Sequence, residues 1–397
     1  MRKYRSDTQQ DFRILEDALK AGHLGHLPDE ERVFWETDPR ASPLILEDVV
    51  SRNPSAFSRE ELQEYVQTIA ALVLPTRYDS PSAFSLLDDL VKEVQGETVK
   101  LGLDLDAFPH YATVPTGMVN AMAVPLPGAG KPFLLFDGQL FLFCHLVSKI
   151  YAQCLDVTSH GETQQFSMRP ELVQAKLARS PEVFNRLADV LVAVLKKGGP
   201  SSSKPFPVDV ASTGMATCLR KSMEIFVVAH EFGHVYAGHL NDALAPLRAI
   251  HAASDLPQAH RQEFEADYIG LVLTLLVLGK QGYDVALSII GVKLFFAALD
   301  LLSRYAQFLK VGRRGKFVST PSATHPSNQA RRAALDVGMK ALNLPMEEIE
   351  KSVLLSHRMD TVTDSLWAGL VQPRTRPGRN DPCYCGSGQK LKKCCKA

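Results

Sequence analysis

The chain has 397 residues, of which 44 are basic and 44 are acidic, so its net charge is zero. A balanced charge creates no general attraction to nucleic acid or to an acidic membrane surface, and we expect no sequence-specific nucleic-acid binding. Hydrophobic residues make up 45% of the chain, which is ordinary for a globular protein of two or three domains with a sizeable core.

The N-terminal sequence, MRKYRSDTQQDF, is polar throughout and lacks the apolar stretch of a signal peptide. A membrane span needs roughly 18 uninterrupted apolar residues, and the most apolar stretch, 285–302, is interrupted by Lys293 and Asp300. Of seven cysteines, four lie in the last fifteen residues, which favours metal binding in a reducing compartment over a disulfide framework. We therefore expect a cytoplasmic protein without a membrane span.

The first 104 residues are predicted to form a helical N-terminal region. Apolar residues recur at three- and four-residue spacing in 7–21, 58–72 and 81–94, which is typical of amphipathic helices. Ser58 and Glu61 have the spacing of a capping box. We find no chemically distinctive residues here and expect this region to pack on the domain that follows.

Residues 105–345 are interpreted as one domain, and its strands come first. GMVNAMAVPLP and PFLLFDG, within 116–137, flank a glycine-rich turn. An exposed edge strand can bind a peptide substrate as one more strand, although an ordinary hairpin has the same pattern. The candidate substrate-binding backbone belongs to Asn120, Ala121, Met122 and Ala123.

Helical periodicity dominates the rest of the chain. The predicted helices span 139–154, 181–197, 213–239, 255–279, 284–309, 327–342 and 346–370. The expected fold class is therefore mainly α, an α+β fold with a small sheet. We interpret 346–372 as a C-terminal helix, 373–382 as a proline- and arginine-rich linker, and 383–397 as a small terminal module.

The helix in the middle of the chain carries the pattern H-E-x-x-H at His230, Glu231 and His234. Positions i and i+4 of a helix point the same way, so both imidazoles can bind one metal ion. A catalytic Zn²⁺ keeps one position open for water, and Glu231 can act as general base on that water. The alternative is a satisfied core helix; Gly233 leaves room for a neighbouring backbone or a ligand. We predict a catalytic zinc site.

A catalytic zinc needs a third protein ligand. His239 would lie roughly 140° from the ligand face if the helix continued, so we interpret it as a helix-end or supporting residue. In RQEFEADY, Glu263 and Asp267 share a helix face, whereas Glu265 faces elsewhere. One carboxylate of the pair can bind the metal while the other orients a ligand histidine. An ordinary acidic helix start is the alternative.

HEFGH followed by EFEAD resembles the gluzincin metallopeptidases of the HtpX and CAAX-prenyl-protease type. The resemblance implies a zincin-like core, with Glu263 as the third zinc ligand and Asp267 supporting the site. Residues 118–123 are similar to the edge strand of that family. The matching motifs occur in the same order as in the family, and together they cover roughly residues 105–340. These relatives are mostly integral membrane proteases, whereas this chain is expected to be soluble, so the resemblance does not imply that it shares their membrane substrates.

A further stretch, Thr324-His325-Pro326 with Arg331 beyond it, resembles the family's H-P-x-x-x-x-R segment. The resemblance implies that His325 lies beside the active site, where it can hydrogen-bond an oxyanion as a catalytic residue. Arg331 is then expected to orient the nearby carboxylates. A simple helix-capping role for His325 stays open.

The C-terminal sequence RNDPCYCGSGQKLKKCCK brings four cysteines around a Gly-Ser-Gly turn. Four thiolates suit a closed tetrahedral zinc site, and so small a module needs the metal to fold. The expected ligands are Cys383, Cys385, Cys394 and Cys395. The sequence closely resembles the SEC-C motif found at the end of the SecA translocation ATPase, which implies a structural zinc and a protein or ribosomal partner. A solvated tail without a partner is the alternative.

These patterns favour a soluble zinc-dependent endopeptidase with one catalytic and one structural Zn²⁺, acting on a protein or peptide substrate. Two other interpretations remain. One is a non-catalytic, zinc-stabilised adaptor that binds ribosome- or secretion-associated proteins. The other is a narrow-specificity protease of a single host protein, as phage-exclusion peptidases are. The intact Glu231 favours an enzyme, because a pure adaptor does not need a base there.

Overall fold

The computed structural model describes residues 2–24, 58–100, 108–116, 118–160, 163–240, 257–312, 317, 321–371 and 390–393. Over these residues the protein is mainly helical with two small sheets, which confirms the predicted fold class at that level. The four tail cysteines and the whole of the predicted linker, 373–382, lie outside the described residues.

Within the described part of the N-terminal region, three helices precede the first sheet: α1 (Arg2–Lys20), α2 (Arg59–Ala70) and α3 (Pro81–Lys100). The predicted capping box of α2 is present, with the Ser58 N–H donating to Glu61 Oε2 (2.6 Å) and the Glu61 N–H donating to Ser58 Oγ (3.2 Å). Helix α1 is joined to the first sheet region by Asp11, whose Oδ1 accepts the Gly130 N–H at 3.0 Å.

The first sheet contains β1 (His110–Thr113), β2 (Ala121–Val124) and β3 (Phe133–Phe136) in the order β1-β3-β2. Strand β3 is completely buried and pairs in parallel with β1 and antiparallel with β2. Strand β2 therefore lies at an edge of the sheet. It is the strand that the sequence placed at an edge.

A second, two-stranded sheet lies between the predicted helices 139–154 and 181–197, where no strand was predicted. It pairs β4 (Asp156–His160) with β5 (Thr163–Ser167), in antiparallel register. Both strands consist mostly of polar residues, DVTSH and TQQFS, so they lack the apolar alternation that predicts a strand. Short polar hairpins of this kind are the weakest signal that hydrophobic patterning offers.

The remaining helices form the bulk of the protein. They are α4 (Gly138–Cys154), α5 (Pro170–Arg179), α6 (Glu182–Lys196), α7 (Val210–Tyr236), α8 (Gln258–Lys280), α9 (Val285–Val311), α10 (Asn328–Ala341) and α11 (Met346–Val371). Helix α7 is the centre of the packing, because it contacts α4, α8, α9 and β2. It begins at Val210 with Asp209 as N-cap and ends three residues before the predicted boundary, at Tyr236.

Helices α7 and α8 cross at very short range, because glycines lie on both sides of the crossing. A Cβ on Gly233 of α7 would lie 3.0 Å from the Ala266 carbonyl oxygen, and a Cβ on Gly270 of α8 would lie 3.1 Å from His230 Cα. The room predicted at Gly233 is thus filled by the backbone of α8. Side chains one or two turns from this crossing are brought face to face.

Helix α9 is, among the described helices, long and apolar enough to cross a membrane on length and composition alone. In its most apolar window, 67% of the residues are buried inside the protein, and a core helix of a soluble protein has the same character. Lys293, in the middle of this helix, is buried and bonds to Ser356 Oγ at 2.9 Å and to Asp336. This one helix is weak evidence for a membrane span.

Candidate metal centre

The two histidines of the H-E-x-x-H pattern lie on one side of α7, near its C-terminal end. Their Nε2 atoms are 3.2 Å apart, as the i, i+4 spacing of a helix allows. They lie at the end of a run of buried residues that extends from Leu219 to Gly233 with few gaps and includes His230 itself. The apolar sequence around them therefore fixes the helix, and the helix fixes the spacing of the two nitrogens.

Glu263 on α8 faces both histidines. Its Oε2 is 3.7 Å from His230 Nε2 and its Oε1 is 3.5 Å from His234 Nε2. The ligand atoms of these three residues all lie within 4.8 Å of one another, which makes them a group that could hold a metal ion. The structure thus brings together the three side chains that the sequence analysis proposed as zinc ligands.

The surroundings of the Glu263 carboxylate are suited to binding a cation. Its Oε2 is buried and has no hydrogen-bond donor. Arg331 Nη1 is 3.0 Å from the same oxygen, but this ion pair lacks hydrogen-bond geometry, so the oxygen is still without a directed partner. A buried carboxylate oxygen without a donor is costly, and two imidazoles with one carboxylate are the donor set of catalytic zinc sites.

Asp267 supports His230 from behind. Its Oδ1 is 3.0 Å from His230 Nδ1, and Arg331 donates to both of its oxygens, from Nε at 2.8 Å and from Nη2 at 2.5 Å. Burial alone would raise the pKa of Asp267, but the Arg331 guanidinium and His230 hold this pKa at about 2. The ionised carboxylate accepts the Nδ1–H of His230 and leaves Nε2 free to bind a metal.

His234 is held as a neutral imidazole. Burial, together with the neighbouring imidazoles of His230 and His239, lowers the pKa of His234 to about 2. Only a neutral imidazole has a lone pair for a metal ion, so this environment favours the metal-binding form of the side chain.

The side chain of Glu231, on α7, lies beside the edge strand β2. Burial raises the pKa of its carboxyl group to about 7; His230 opposes this rise and Glu263 adds to it. The nearby backbone of Ala123, on the edge strand, also lowers this pKa. A pKa near neutrality is the range in which a carboxylate can both accept and return a proton at physiological pH.

Strand β2 presents alternate backbone groups to this region. The Asp137 N–H donates to the Asn120 carbonyl at 3.1 Å, and these two residues are opposite each other in the extended register. Because bonded and non-bonded pairs alternate in an antiparallel ladder, Met122 also pairs with β3 while Ala121 and Ala123 direct their backbone groups away from it. The outer edge of β2 and the side chains of His230, His234 and Glu263 line the same cavity.

His325 lies at the mouth of the site, with its Nε2 3.5 Å from Glu263 Oε1 and 59% of its side chain exposed. A tight turn positions it, since its N–H donates to Ser322 Oγ at 2.9 Å and its carbonyl accepts the Ser322 N–H at 2.9 Å. Helix α10 is capped by Ser327, whose Oγ accepts the Ala330 N–H. His325 is therefore not the residue that caps this helix.

A cavity of about 540 Å³ lies over the cluster. Its lining includes the predicted substrate-binding residues 120–123 and six of the titratable groups described above: His230, Glu231, His234, Glu263, His325 and Arg331. Its apolar lining includes Phe226 of α7 with Phe295 and Leu299 of α9. The sequence analysis missed Phe295 and Leu299, because nothing in a uniformly apolar helix distinguishes a residue that faces a cavity from one that faces the core.

Comparison with known proteins identifies the tail alone. Residues 379–397 match the SEC-C motif family, which confirms the predicted C-terminal motif. The chain is also 78% identical over 29 residues to the UPF0225 protein YchJ of Shigella dysenteriae serotype 1 (strain Sd197), a match that covers 7% of this chain and 19% of that relative. The chain thus covers about a fifth of the length of this curated relative. No solved structure matches the chain.

Proposed function

We propose that the protein is a zinc-dependent endopeptidase with a zincin-like core of the gluzincin type. The observation that carries this proposal is the convergence of His230 Nε2, His234 Nε2 and the Glu263 carboxylate within 4.8 Å, beside an unligated buried acid at Glu231. A simple core helix has no need for this arrangement, since each buried polar group there would be paired within the protein.

In the proposed reaction, His230, His234 and Glu263 hold the ion, which would activate a water and polarise the substrate carbonyl when bound. Glu231 accepts a proton from the attacking water and returns it to the leaving amine, a role that suits its pKa of about 7. His325 can donate to the carbonyl oxygen as negative charge develops on it. The free edge of β2 would align the peptide backbone.

The first test is the substitution Glu231→Gln, which preserves size and hydrogen bonding but removes the base. We expect zinc content and fold to be unchanged, and kcat to fall by at least about 100-fold, because general-base catalysis typically contributes that much. Cleavage of an unfolded protein such as casein, followed by mass spectrometry, measures the effect.

Glu224 offers a matched control on the same helix. It is also buried, and burial raises the pKa of its carboxyl group to about 7, but it does not line the cavity. Glu224→Gln should therefore cleave at the wild-type rate. Equal cleavage by wild type and Glu231→Gln would overturn the proposed mechanism.

The confirmed SEC-C motif favours one alternative, a zinc-stabilised adaptor that uses the tail to bind a protein or ribosomal partner and cuts nothing. The tail ligands would be Cys383, Cys385, Cys394 and Cys395, as four thiolates suit a structural zinc. The peptidase predicts two zinc ions per chain, and an adaptor with an empty histidine site predicts one. Zinc quantification by elemental analysis of the purified chain separates the two.

Substrate range is a further part of the proposal. A general peptidase would cut many proteins, whereas a narrow-specificity enzyme would cut one host protein. The Glu231→Gln variant should retain bound substrate without turnover. Crosslinking that variant in cell extract and comparing cut sites made by the wild-type protein would distinguish a single target from many.

A further inference from the structure

The chain reverses immediately after α7. Gly238 has φ +67°, its N–H donates to the Val235 carbonyl at 3.0 Å, and the His239 N–H donates to the His234 carbonyl at 2.9 Å. These two bonds form a Schellman motif, in which the left-handed residue is usually glycine. The turn folds the chain back, so that the His239 side chain packs against the last turn of α7. The sequence-based angle of roughly 140° assumed a continuing helix, so it does not apply to this residue.

His239 then contacts the nitrogen of His234 that faces away from the cluster. The two Nδ1 atoms are 3.0 Å apart, and only 3% of the His239 side chain is exposed. On its other side, His239 Nε2 is 3.0 Å from Glu265 Oε2 of α8. Glu265 does face away from Glu263, as its helical position predicts, and the group it faces is His239.

The direction of these hydrogen bonds follows from their last member. A carboxylate only accepts, so the Glu265 contact places the His239 proton on Nε2 and leaves a lone pair on His239 Nδ1. That lone pair accepts the Nδ1–H of His234. His234 Nε2 is then without a proton, and it is the nitrogen that faces Glu263 at 3.5 Å. The reverse direction would put a proton on His234 Nε2 and prevent metal binding.

We propose that His239 and Glu265 are positioning residues for the metal site. They hold His234 in the tautomer and orientation whose Nε2 can bind the ion, as Asp267 does for His230. This inference rests on the metal site of the proposed function. It assigns a role to two residues that are not fixed positions of the H-E-x-x-H and E-x-x-x-D patterns. Gly238 contributes because its positive φ allows the turn that brings His239 to His234.

The test measures zinc affinity, which does not depend on hydrolysis. Full-length protein carrying Cys383→Ser and Cys385→Ser serves as the background, so that the tail contributes no zinc. In this background, His239→Leu should weaken zinc binding by about 10- to 100-fold, the usual effect of removing a hydrogen-bond partner of a ligand histidine. Competition with a chromophoric chelator gives the affinity, and circular dichroism checks the fold.

Two further variants separate positioning from packing. His239→Asn keeps an acceptor near the position of Nδ1 and should recover most of the lost affinity, whereas Glu265→Ala should show a smaller loss because it only frees the tautomer of His239. The visible spectrum of the cobalt-substituted protein should shift in His239→Leu and return towards wild type in His239→Asn. His357→Leu, which removes an exposed histidine on α11, is the control with unchanged affinity.

Each result is decisive. If the background protein binds no zinc, the metal site fails and this inference fails with it. If the background protein binds zinc and adding His239→Leu leaves its zinc affinity unchanged, the metal site stands and the positioning role is overturned. Should His239→Leu not fold, Glu265→Ala replaces it, because 59% of the Glu265 side chain is exposed. Unchanged affinity and an unchanged cobalt spectrum in Glu265→Ala then overturn the role.

Discussion

Arg331 is the residue that allows so many acids to be buried together. Its guanidinium donates to both oxygens of Asp267, lies 3.0 Å from Glu263 Oε2, and is stacked 4.6 Å from the centre of the Phe296 ring. Burial would lower the pKa of Arg331, but Asp267 and Glu263 raise it. The guanidinium therefore stays charged and offsets the charges of two buried carboxylates.

Arg331→Met tests this role, because methionine fills a similar volume without charge. The buried Asp267 would lose its charge partner, and removing one member of such a pair typically destabilises a protein by about 3–5 kcal/mol. Urea unfolding of the metal-free protein gives the free energy of unfolding. The double variant Asp267→Asn with Arg331→Met should regain part of the loss. A loss below about 1 kcal/mol, typical of exposed pairs, would contradict the assignment.

At the scale of the elements, the site depends on how closely α7 and α8 approach. The two helices supply all three proposed ligands, and their separation is set by Gly233 and Gly270 rather than by large side chains. Interiors are close-packed, so an added methyl group at the crossing must move one helix. Moving α8 outward by a fraction of an ångström also moves Glu263 away from the imidazoles.

Gly270→Ala should therefore destabilise the protein by about 1–3 kcal/mol, the usual effect of overpacking, and weaken zinc binding in parallel. The contacting atoms are the backbone N and Cα of His230, at 3.1 Å, which cannot rotate aside as a flexible side chain does. Thermal unfolding and chelator competition measure the two effects.

Gly279→Ala is the matched control on the same helix. A Cβ there meets nothing within 4 Å, and alanine has the higher helix propensity, worth up to about 1 kcal/mol. This variant should be as stable as wild type or more so. If Gly270→Ala and Gly279→Ala had the same stability and zinc affinity, the close approach of α7 and α8 would not be needed for either property.

At the scale of the molecule, α7 is the helix around which the other elements pack. It contacts α4, the edge strand β2, α8 and α9. Glu231 faces the strand, whereas His230 and His234 face α8. The proposed general base and the two proposed histidine ligands are thus presented in different directions by one helix, as neighbouring positions roughly 100° apart require.

Much of this arrangement follows from local sequence patterns. Helical spacing places Glu263 and Asp267 on one face, and turn residues mark the hairpin that contains β2, whereas its edge position was expected only from the family resemblance. The position of His239 could not be predicted the same way, because the early end of α7 depends on the conformation of a single glycine, Gly238. Periodicity also could not reveal the polar hairpin of β4 and β5, or that Phe295 lines a cavity.

The tail supports a prediction at the same scale. Because its four thiols and the histidine cluster are separate donor sets, Cys383→Ser with Cys385→Ser should remove one of two zinc ions and leave hydrolysis of short peptides unchanged. Elemental analysis and a peptide assay measure both quantities. Loss of peptide hydrolysis in this variant would mean that the tail contributes to the catalytic unit itself.

The position of the Glu231 carboxylate beside the backbone of Ala123 has a consequence for any polypeptide that would extend β2. A strand added to this edge would meet the carboxylate at Ala123, so its ladder with β2 would end there. If the protein is the proposed peptidase, the length of substrate that pairs with β2 before this point would help to determine which peptide bond is cut.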